Sequence, residues 1–382
     1  MSNTQTFKKL PVLVISGFLG SGKTTLLKHI LENNKNRKIA LIVNDIGEIN
    51  IDASLIKNTV LTETKKTMVE MTNGCICCTL REDLLLEINK LAKQNKYDYL
   101  IIESSGISEP LPVAQTFTFE DEYGKSLSEF ATLDAMVTVV DAQNFWKIYE
   151  EGKTLKDVNQ EIGSEDERTL ADLLTDQVEF ADIIILNKID LINEVEKQEI
   201  LNLLKKLNPI AKTLECVNSQ IDINQILDTK LFDLKKAQNS AGWIYELNNE
   251  HKPESEEYGI TSFVYRARKP FDAKKFKKTL VSLQGVIRGK GMYWISSDNR
   301  RIFEYSQAGI NISLNNPMGI WWCEASNDFW PADQESIARI ESFFEDKIGD
   351  RRQELVFIGK KIDVDEIKTK LDKCLVDPKK LI

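Results

Sequence analysis

Long hydrophobic runs and an excess of positive charge are both missing from this sequence. The longest apolar runs, such as "AMVTVV" and "DIIIL", have the length of a β-strand and are too short to span a bilayer. The net charge of −9 argues against a protein that grips duplex nucleic acid. The first residues lack the layout of a signal peptide, because their apolar run leads directly into a glycine-rich loop. We therefore expect a cytoplasmic protein with no membrane or nucleic-acid partner.

Cysteine is also scarce, and half of it is concentrated at one place. Three of the six cysteines, Cys75, Cys77 and Cys78, lie in the stretch "NGCICCTL". Cytoplasmic thiols stay reduced, so clustered cysteines there more often bind metal or do chemistry than form structural disulfides. A metal site, a redox switch and buried small hydrophobes remain as interpretations of this cluster. The remaining cysteines stand alone in apolar contexts and are expected in the core: Cys216, Cys323 and Cys374.

The order of apolar runs predicts the fold class. From Leu10 to about Val217, strand-like runs alternate with helical patterns, which is typical of an α/β protein with a doubly wound, mostly parallel sheet. Strands are predicted at 11–16, 38–45, 67–71, 97–104, 133–142, 181–188 and 211–217. Helices are predicted at 22–33, 80–94, 167–179 and 193–207, and a helix with a loop at 143–164.

A change in the pattern of apolar and polar residues after residue 220 predicts two domains. Residues 1–220 form the first domain, the polar segment 221–258 is a linker, and 259–382 form a smaller α+β domain with a mixed or antiparallel sheet. Its helices are expected at 272–284, 334–344 and 365–374. Its strands are expected at 260–271, 291–296, 301–309, 319–325 and 354–359.

The sequence "GFLGSGKTT" predicts a phosphate-binding loop. It matches G-x-x-x-x-G-K-[ST] between a predicted strand and a predicted helix, the context that this motif requires. Backbone N–H groups of such a loop surround phosphate oxygens, the lysine reaches the β- and γ-phosphates, and the Thr24 hydroxyl binds Mg²⁺. The predicted cofactor-binding residues are Gly17, Gly20, Ser21, Gly22, Lys23, Thr24 and Thr25.

Two further strand ends complete a predicted GTP and Mg²⁺ site. "LIIESSG" ends a strand with Glu103, which is placed to deliver a carboxylate to the magnesium shell. "LNKID" places Asn187, Lys188 and Asp190 at the end of a later strand, the arrangement that reads guanine. The Asp190 carboxylate would accept from the base, and Lys188 would lay its aliphatic stem over it. The segment 216–219 is a weaker candidate for further base contacts.

These motifs together resemble the CobW-type metallochaperone GTPases, which are related to the nickel-inserting hydrogenase and urease accessory GTPases. The resemblance rests on the stretches "GFLGSGKTTLL", "VNDIGEINID", "NGCICCTLREDL", "ESSGISEP", "VTVVDA" and "LNKIDL". It continues at "SFVYRARKPF", "SQAG" and "RRQELVFIG", and the later blocks are closest to the zinc-homeostasis branch. The resemblance implies a GTPase that handles a metal ion for a client protein. The histidine-rich segment that often joins the two domains in this family is absent, and His29 is expected to be structural.

Within this frame, the cysteine cluster is predicted to be the metal site. The three thiolates of Cys75, Cys77 and Cys78 favour Zn²⁺, with Co²⁺ as a substitute. A fourth ligand would come from Glu48 or Asp45 of the "NDIGE" loop, from water, or from a partner protein. Glu48 is also a candidate catalytic residue, beside Lys23, Thr24 and Glu103. Its alternative is a solvated loop acid.

We therefore expect a GTP-hydrolysing metallochaperone that delivers zinc, or another divalent metal, to a client metalloprotein. A sensing module gated by GTP and metal is the alternative from another class. Cobalt handling for cobalamin, or for activation of a metal hydratase, also remains open, and a homodimer is compatible with the sequence. No arginine finger is evident, so slow intrinsic turnover is expected. The tryptophan pair 321–322 is expected in a core, with a client-docking face as the alternative.

Overall fold

The protein divides into two compact units. The computed structural model describes residues 9–34, 37–44, 67–71, 81–104, 106–117, 127–158, 168–234, 236, 241–242, 244, 247 and 259–378. The first unit comprises residues 1–148 and 153–241, and the second comprises 149–152 and 242–382. No described helix is both long enough and apolar enough to cross a membrane.

A parallel sheet of seven strands forms the centre of the first unit. The strands are β1 (Leu10–Ser16), β2 (Ile39–Asn44), β3 (Thr67–Met71), β4 (Tyr99–Glu103), β5 (Ala131–Asp141), β6 (Ile183–Asn187) and β7 (Lys212–Glu215). Their order is β3-β2-β4-β1-β5-β6-β7, and every neighbouring pair is parallel. The carboxyl ends of all seven strands therefore meet at one edge. The chain builds outward on both sides of β1, and ligands bind at such a switch point in open α/β sheets.

Helices cover this sheet. They are α1 (Lys23–Asn33), α2 (Arg81–Lys93), α3 (Pro110–Thr116), α4 (Phe145–Glu151), α5 (Leu170–Glu179) and α6 (Glu194–Leu207). Two buried layers enclose the strands. One packs Leu26 and Ile30 of α1 against Leu13 and Ile15 of β1, and the other packs Leu84 and Ile88 of α2 against neighbouring strands. Strands covered on both faces explain the continuous apolar runs of the sequence.

The predicted doubly wound parallel sheet is confirmed, with differences in local detail. Residues 110–116 form a helix that the sequence analysis did not assign; Pro110 lies at its start, where proline is tolerated. The segment 143–164 contains α4 and a short 3₁₀ helix at Lys156–Val158.

The packed core of the first unit extends past residue 220, into the segment predicted as a linker. Ile226 and Leu227 are buried in the layer against α1, and Ile221, Ile223 and Leu231 pack against it. Thr229 and Lys230 donate backbone hydrogen bonds to the carboxylate of Asp134 on β5, at 3.2 and 2.5 Å. The apolar residues of this segment are widely spaced, so their periodic pattern was too weak to predict this packing.

The second unit contains an antiparallel five-stranded sheet. Its strands are β8 (Ile260–Ala267), β9 (Val286–Ile295), β10 (Asp298–Ala308), β11 (Asn311–Ile320) and β12 (Gln353–Lys360), and their order is β11-β10-β9-β12-β8. Its helices are α7 (Ala273–Ser282), α8 (Gln334–Glu341) and α9 (Val364–Asp372). Phe276 of α7 and Leu371 of α9 lie in an aromatic core with Phe357 and Tyr305 on one face of the sheet.

The strand predicted over residues 319–325 is wrong. The strand β11 ends at Ile320, and Trp322–Glu324 form a 3₁₀ helix. The sequence of β11, "NISLNNPMGI", holds asparagine, proline and glycine, which are depleted in strands. An edge strand tolerates proline, and its pairing with β10 shifts register at two places.

The isolated cysteines and the tryptophan pair differ in their burial. Cys216 and Cys374 are buried as expected, whereas Cys323 is only half-buried. Trp321 is fully buried, while Trp322 is partly exposed and packs edge-on against Trp330.

Candidate functional site

The turn between β1 and α1 requires glycine at two positions. Gly17 and Gly22 have φ angles of 137° and 110°, which side chains rarely adopt. A Cβ on Gly17 would lie 2.3 Å from the carbonyl oxygen of Val139, and one on Gly22 would lie 2.4 Å from Nδ2 of Asn187. The close approach of β5 and β6 to this turn therefore depends on both glycines.

Lys23 opens α1 and folds into the turn. Its ammonium donates to the carbonyl oxygens of Gly17 and Phe18, at 2.8 and 3.2 Å. Ser21 is fully buried, and its hydroxyl has no hydrogen-bond partner among the residues that the structure describes. A buried polar group without a partner is uncommon in folded proteins. The turn thus brings together a cation and a buried hydroxyl.

Thr24 and Glu103 meet although they are 79 positions apart. The Thr24 hydroxyl donates to Oε1 of Glu103 at 3.3 Å, and Glu103 is buried at the end of β4. The parallel pairing of Ile15 with Glu103 sets this approach, because it places the end of β4 beside the end of β1. A hydroxyl and a carboxylate are the oxygen ligands that Mg²⁺ prefers.

Asn187, at the end of β6, contacts two other segments of the first unit through its side chain. Its Nδ2 donates to the carbonyl oxygen of Ser21 at 2.8 Å and to the hydroxyl of Ser219 at 3.0 Å. Its Oδ1 accepts from the backbone N–H of Ser219 at 2.9 Å, and the thiol of Cys216 lies 3.4 Å away. The Ser219 hydroxyl in turn donates to the carbonyl oxygen of Gly22 at 3.0 Å. Asn187 therefore joins the glycine-rich turn to the segment after β7.

Lys188 and Asp190 come directly after Asn187 in the sequence. Lys188 has a φ of 63°, and its ammonium lies 2.7 Å from Oδ2 of Asp141. Asp190 is exposed on a 3₁₀ helix that spans Ile189–Leu191. Burial raises the pKa of the nearby Cys216 thiol to about 11, so this thiol stays protonated at neutral pH.

The two parts of the chain match two domain families. Residues 11–215 match the CobW/HypB/UreG nucleotide-binding domain, and residues 260–375 match the cobalamin synthesis protein CobW C-terminal domain. The first match alone covers more than half of the chain. The chain belongs to the CobW/HypB/UreG family. Its first unit is accordingly a P-loop GTPase domain, and the resemblance seen in the sequence is confirmed.

Relatives of this CobW-family chain have names that refer to zinc. It is 46% identical over 390 residues to zinc-regulated GTPase metalloprotein activator 1 of Dictyostelium discoideum, covering 98% of this chain and 82% of that protein. It is 30% identical over 322 residues to the zinc chaperone YjiA of Escherichia coli, covering 81% of this chain and 90% of that protein. Against the zinc chaperone CobW of Pseudomonas aeruginosa it is 36% identical over 195 residues, covering 49% of this chain and 50% of that protein.

A solved structure of Zn(II)-bound YjiA GTPase from Escherichia coli aligns with 97% of this chain and 100% of that one, at 23% identity and a TM-score of 0.42. The fold of this chain follows from its strand order and from its family.

The phosphate loop of this family member fits a nucleotide with Mg²⁺. The buried Ser21 hydroxyl offers a hydrogen-bond donor inside the turn, and the Lys23 ammonium offers a positive charge beside it. The Thr24 and Glu103 oxygens converge where a hard cation would be held. Gly20 has a φ of 76°, and a Cβ on it would meet nothing within 4 Å, so this residue faces open space. Thr25 lies in the first turn of α1.

The predicted zinc ligands, unlike the phosphate loop, belong to segments that the structure does not describe. Cys75, Cys77, Cys78, Glu48 and Asp45 lie outside the described residues. The residues that the structure does describe contain no group of three or more histidine, cysteine or acidic side chains arranged to hold a metal ion.

Three contributors to this GTPase site were missed in the sequence. Gln177 of α5 donates to the carbonyl oxygens of Gly106 and Ser108, at 3.1 and 3.3 Å, and Arg168 donates to that of Ile107 at 3.3 Å. Both side chains hold the loop that follows Glu103. Asp141 holds Lys188. Only Asp141 gave a signal, as the last acid of "VTVVDA" at a strand end.

Proposed function

We propose that this chain is a GTP-hydrolysing metallochaperone that binds zinc through Cys75, Cys77 and Cys78 and delivers it to a client metalloprotein. The observation that carries the proposal is the contact between Thr24 and Glu103, because it joins the phosphate loop to the strand end that a magnesium-dependent GTPase requires. The names of the relatives support zinc as the metal. The proposed compartment is the cytoplasm, where the thiols would stay reduced.

Each residue at the phosphate end has one role in this proposal. Lys23 would neutralise the β- and γ-phosphates, and the backbone N–H groups of the glycine-rich turn would hold the phosphate oxygens. Thr24 and Glu103 would hold Mg²⁺, which supplies charge neutralisation when bound. Glu48 remains the candidate for orienting the attacking water. At the base end, Asp190 would accept from the guanine N1–H and amino groups, and Lys188 would cover one face of the base.

The register of the sheet supports a link between nucleotide and zinc. Asn44 pairs with Met71, and Val43 pairs with Glu103, so β2, β3 and β4 end at one level. Two strand spacings, or about 10 Å, therefore separate Met71 from the Glu103 strand. The cysteine cluster begins four residues after Met71, and the "NDIGE" sequence begins at Asn44. Few residues along the chain therefore separate these strand ends from the cysteines and from the "NDIGE" sequence.

The test is a metal titration in three nucleotide states. Co²⁺ reports thiolate binding by absorbance, and competition with Zn²⁺ gives the zinc affinity. We expect the affinity to differ between GTP, GDP and no nucleotide by a coupling of about 1–3 kcal/mol, or roughly 5- to 150-fold. Cys77→Ser should weaken binding in every state, whereas Cys323→Ser, at a half-buried thiol of the second unit, should not. Equal affinities in all three states would refute the coupling, and an unaffected Cys77→Ser variant would refute the metal site.

The alternative is a sensing module in which zinc and GTP together gate a protein contact. The word "zinc-regulated" in the name of the Dictyostelium relative supports this sensing alternative. Transfer of zinc to an apo-client in the presence of a nonhydrolysable GTP analogue separates the two. A metallochaperone that releases its metal on hydrolysis should fail to transfer, while a sensing module should form its complex equally well. The same assay with Co²⁺ tests the cobalt-handling alternatives.

A further inference from the structure

Asp141 is the acidic residue at the end of β5, in a stretch to which the proposed function gives no role. It is largely buried, at 9% exposure. Its Oδ1 accepts from the backbone N–H groups of Gln143 and Asn144, at 3.0 and 3.3 Å, and its Oδ2 accepts from Nδ2 of Asn144 at 2.8 Å. These contacts fix the orientation of the carboxylate at the carboxyl edge of the sheet.

The same carboxylate holds Lys188. The Lys188 ammonium lies 2.7 Å from Oδ2 of Asp141, and the two side chains are 28% and 8% exposed. Asp141 pairs with Asn187 in the register of β5 and β6, and Ala142 donates to the carbonyl oxygen of Asn187 at 3.0 Å. Lys188 is therefore fixed at both ends: its backbone follows β6 in a left-handed conformation, and its ammonium is bound across the strand pair.

We propose that Asp141 is a specificity-positioning residue for the guanine base, acting through Lys188. Because Asp141 neutralises the ammonium and holds it to one side, the aliphatic stem of Lys188 presents a fixed apolar surface. Asp190, two residues further on and exposed, remains available to accept from the edge of a base lying on that surface. The inference rests on the proposed binding of GTP at this site.

A purely structural role for Asp141 would use only its contacts with Gln143 and Asn144. Asparagine can accept from the backbone N–H groups of Gln143 and Asn144 through its Oδ1, and its Nδ2 can donate to the side-chain amide of Asn144 once that amide flips, but it carries no charge to hold the ammonium. Asp141→Asn therefore keeps the turn and removes the ion pair. A freed lysine side chain must lose its rotamer freedom again when a base binds, which corresponds to an affinity loss of about two- to tenfold.

The experiment is a double-mutant cycle on the full chain, with GDP affinity and the steady-state KM and kcat for GTP as readouts. The variants are Asp141→Asn, Lys188→Met and their combination. Asp228→Asn is the matched control: it removes the carboxylate of an ion pair with Arg37, also at 2.7 Å, which lies beyond the end of α1 opposite the phosphate loop. We expect Asp141→Asn to raise the KM and the GDP Kd about two- to tenfold with little change in kcat. The combination should be no weaker than Lys188→Met alone, and Asp228→Asn should stay within about twofold of wild type.

Independent, additive losses in Asp141→Asn and Lys188→Met would overturn the inference, because Asp141 would then act without Lys188. An Asp141→Asn variant that binds GDP like wild type would overturn it as well. If Asp141→Asn does not fold, Asn144→Ala removes one donor to the same carboxylate and should show a smaller loss that also disappears in the Lys188→Met background; full additivity there refutes the inference. A wild-type chain that does not prefer guanine over adenine nucleotides would refute the proposed function and, with it, this inference.

Discussion

Replacement of Asn187 by alanine should loosen the nucleotide site, and replacement of Asp190 by asparagine should not. Asn187 is 2% exposed, and its side chain contacts the carbonyl oxygen of Ser21 and both the N–H and the hydroxyl of Ser219. Asp190 is exposed on the neighbouring turn. Both residues belong to the motif that the sequence assigned to base recognition, yet only Asn187 lies inside the protein.

The expected cost follows from the groups that lose their partner. In Asn187→Ala, the Ser21 carbonyl and the Ser219 N–H each lose a buried hydrogen bond, at about 1–3 kcal/mol for a buried group left unsatisfied. The local cost is therefore about 2–6 kcal/mol. In Asp190→Asn no buried group is affected, so the change in stability should stay within about 0.5 kcal/mol.

The thiol of Cys216 provides a local assay. It is 4% exposed and lies 3.4 Å from Oδ1 of Asn187, so it reacts only when this part of the first unit opens. Alkylation in the absence of nucleotide, followed by peptide mass spectrometry, measures that opening. At about 1.4 kcal/mol for each factor of ten, Asn187→Ala should accelerate labelling of Cys216 at least about 30-fold. Cys374, buried in the second unit, serves as the internal reference.

Similar labelling rates of Cys216 in Asn187→Ala and Asp190→Asn would refute this reasoning, because Asn187 would then not hold the loops together. Measuring the nucleotide preference of Asp190→Asn tests the other half of this prediction. Asp190→Asn should lose its preference for guanine over adenine nucleotides while Cys216 stays protected. Loss of protection in Asp190→Asn would show that the acid stabilises the site and does not merely read the base.

The remaining predictions concern the phosphate loop, the partly buried Asp182 and the buried pair of Tyr99 and Asp134. Lys23→Ala should lower GTP hydrolysis at least about 100-fold, since one positioned donor contributes that much; a smaller loss would contradict the assignment. Burial raises the pKa of Asp182 to about 6, against an ordinary 3.8, so its penalty on stability is absent only below pH 3.8, grows as the pH rises from there, and is complete well above pH 6. Asp182→Asn, which keeps an acceptor for the N–H of Met136, should therefore raise the unfolding free energy by about 1–3 kcal/mol at pH 8, and this gain should disappear as the pH falls below 3.8. Tyr99→Phe removes a hydroxyl that donates to the buried carboxylate of Asp134 and should cost about 1.5–3 kcal/mol in denaturant unfolding; an unchanged midpoint would contradict it.

The sequence was sufficient for the strands and the phosphate loop of the first unit because their signals are local. Strands covered on both faces appear as continuous apolar runs, and the phosphate-loop motif sits between a strand and a helix. The parallel order of the sheet then brings Glu103 beside Thr24 without any further information. Sequence periodicity gave no such help for β11, whose asparagines and proline are tolerated only because the strand lies at an edge of its sheet.

Contacts between loops were the part of the site that the sequence did not reveal. Gln177 looks like an ordinary polar residue of a helix, yet it is fully buried and holds the loop after Glu103. Asn187 was assigned to base binding, but in the structure its side chain contacts Ser21 and Ser219. Such pairings depend on how strand ends converge in space. No spacing along the chain encodes them.

The two ends of the nucleotide site differ in how they are held. At the base end, Asn187 and Ser219 form a closed set of hydrogen bonds with the glycine-rich turn, so this end is organised by the fold itself. At the phosphate end, the loop after Glu103 packs Gly106 against the N–H of Leu19 and is held from outside by Gln177. A rearrangement of the base end would break several buried hydrogen bonds together, whereas a movement of the phosphate-end loop would exchange its contacts with Gln177 and Arg168. A response to hydrolysis should therefore begin at the loop after Glu103, on the side of the sheet that carries β2 and β3.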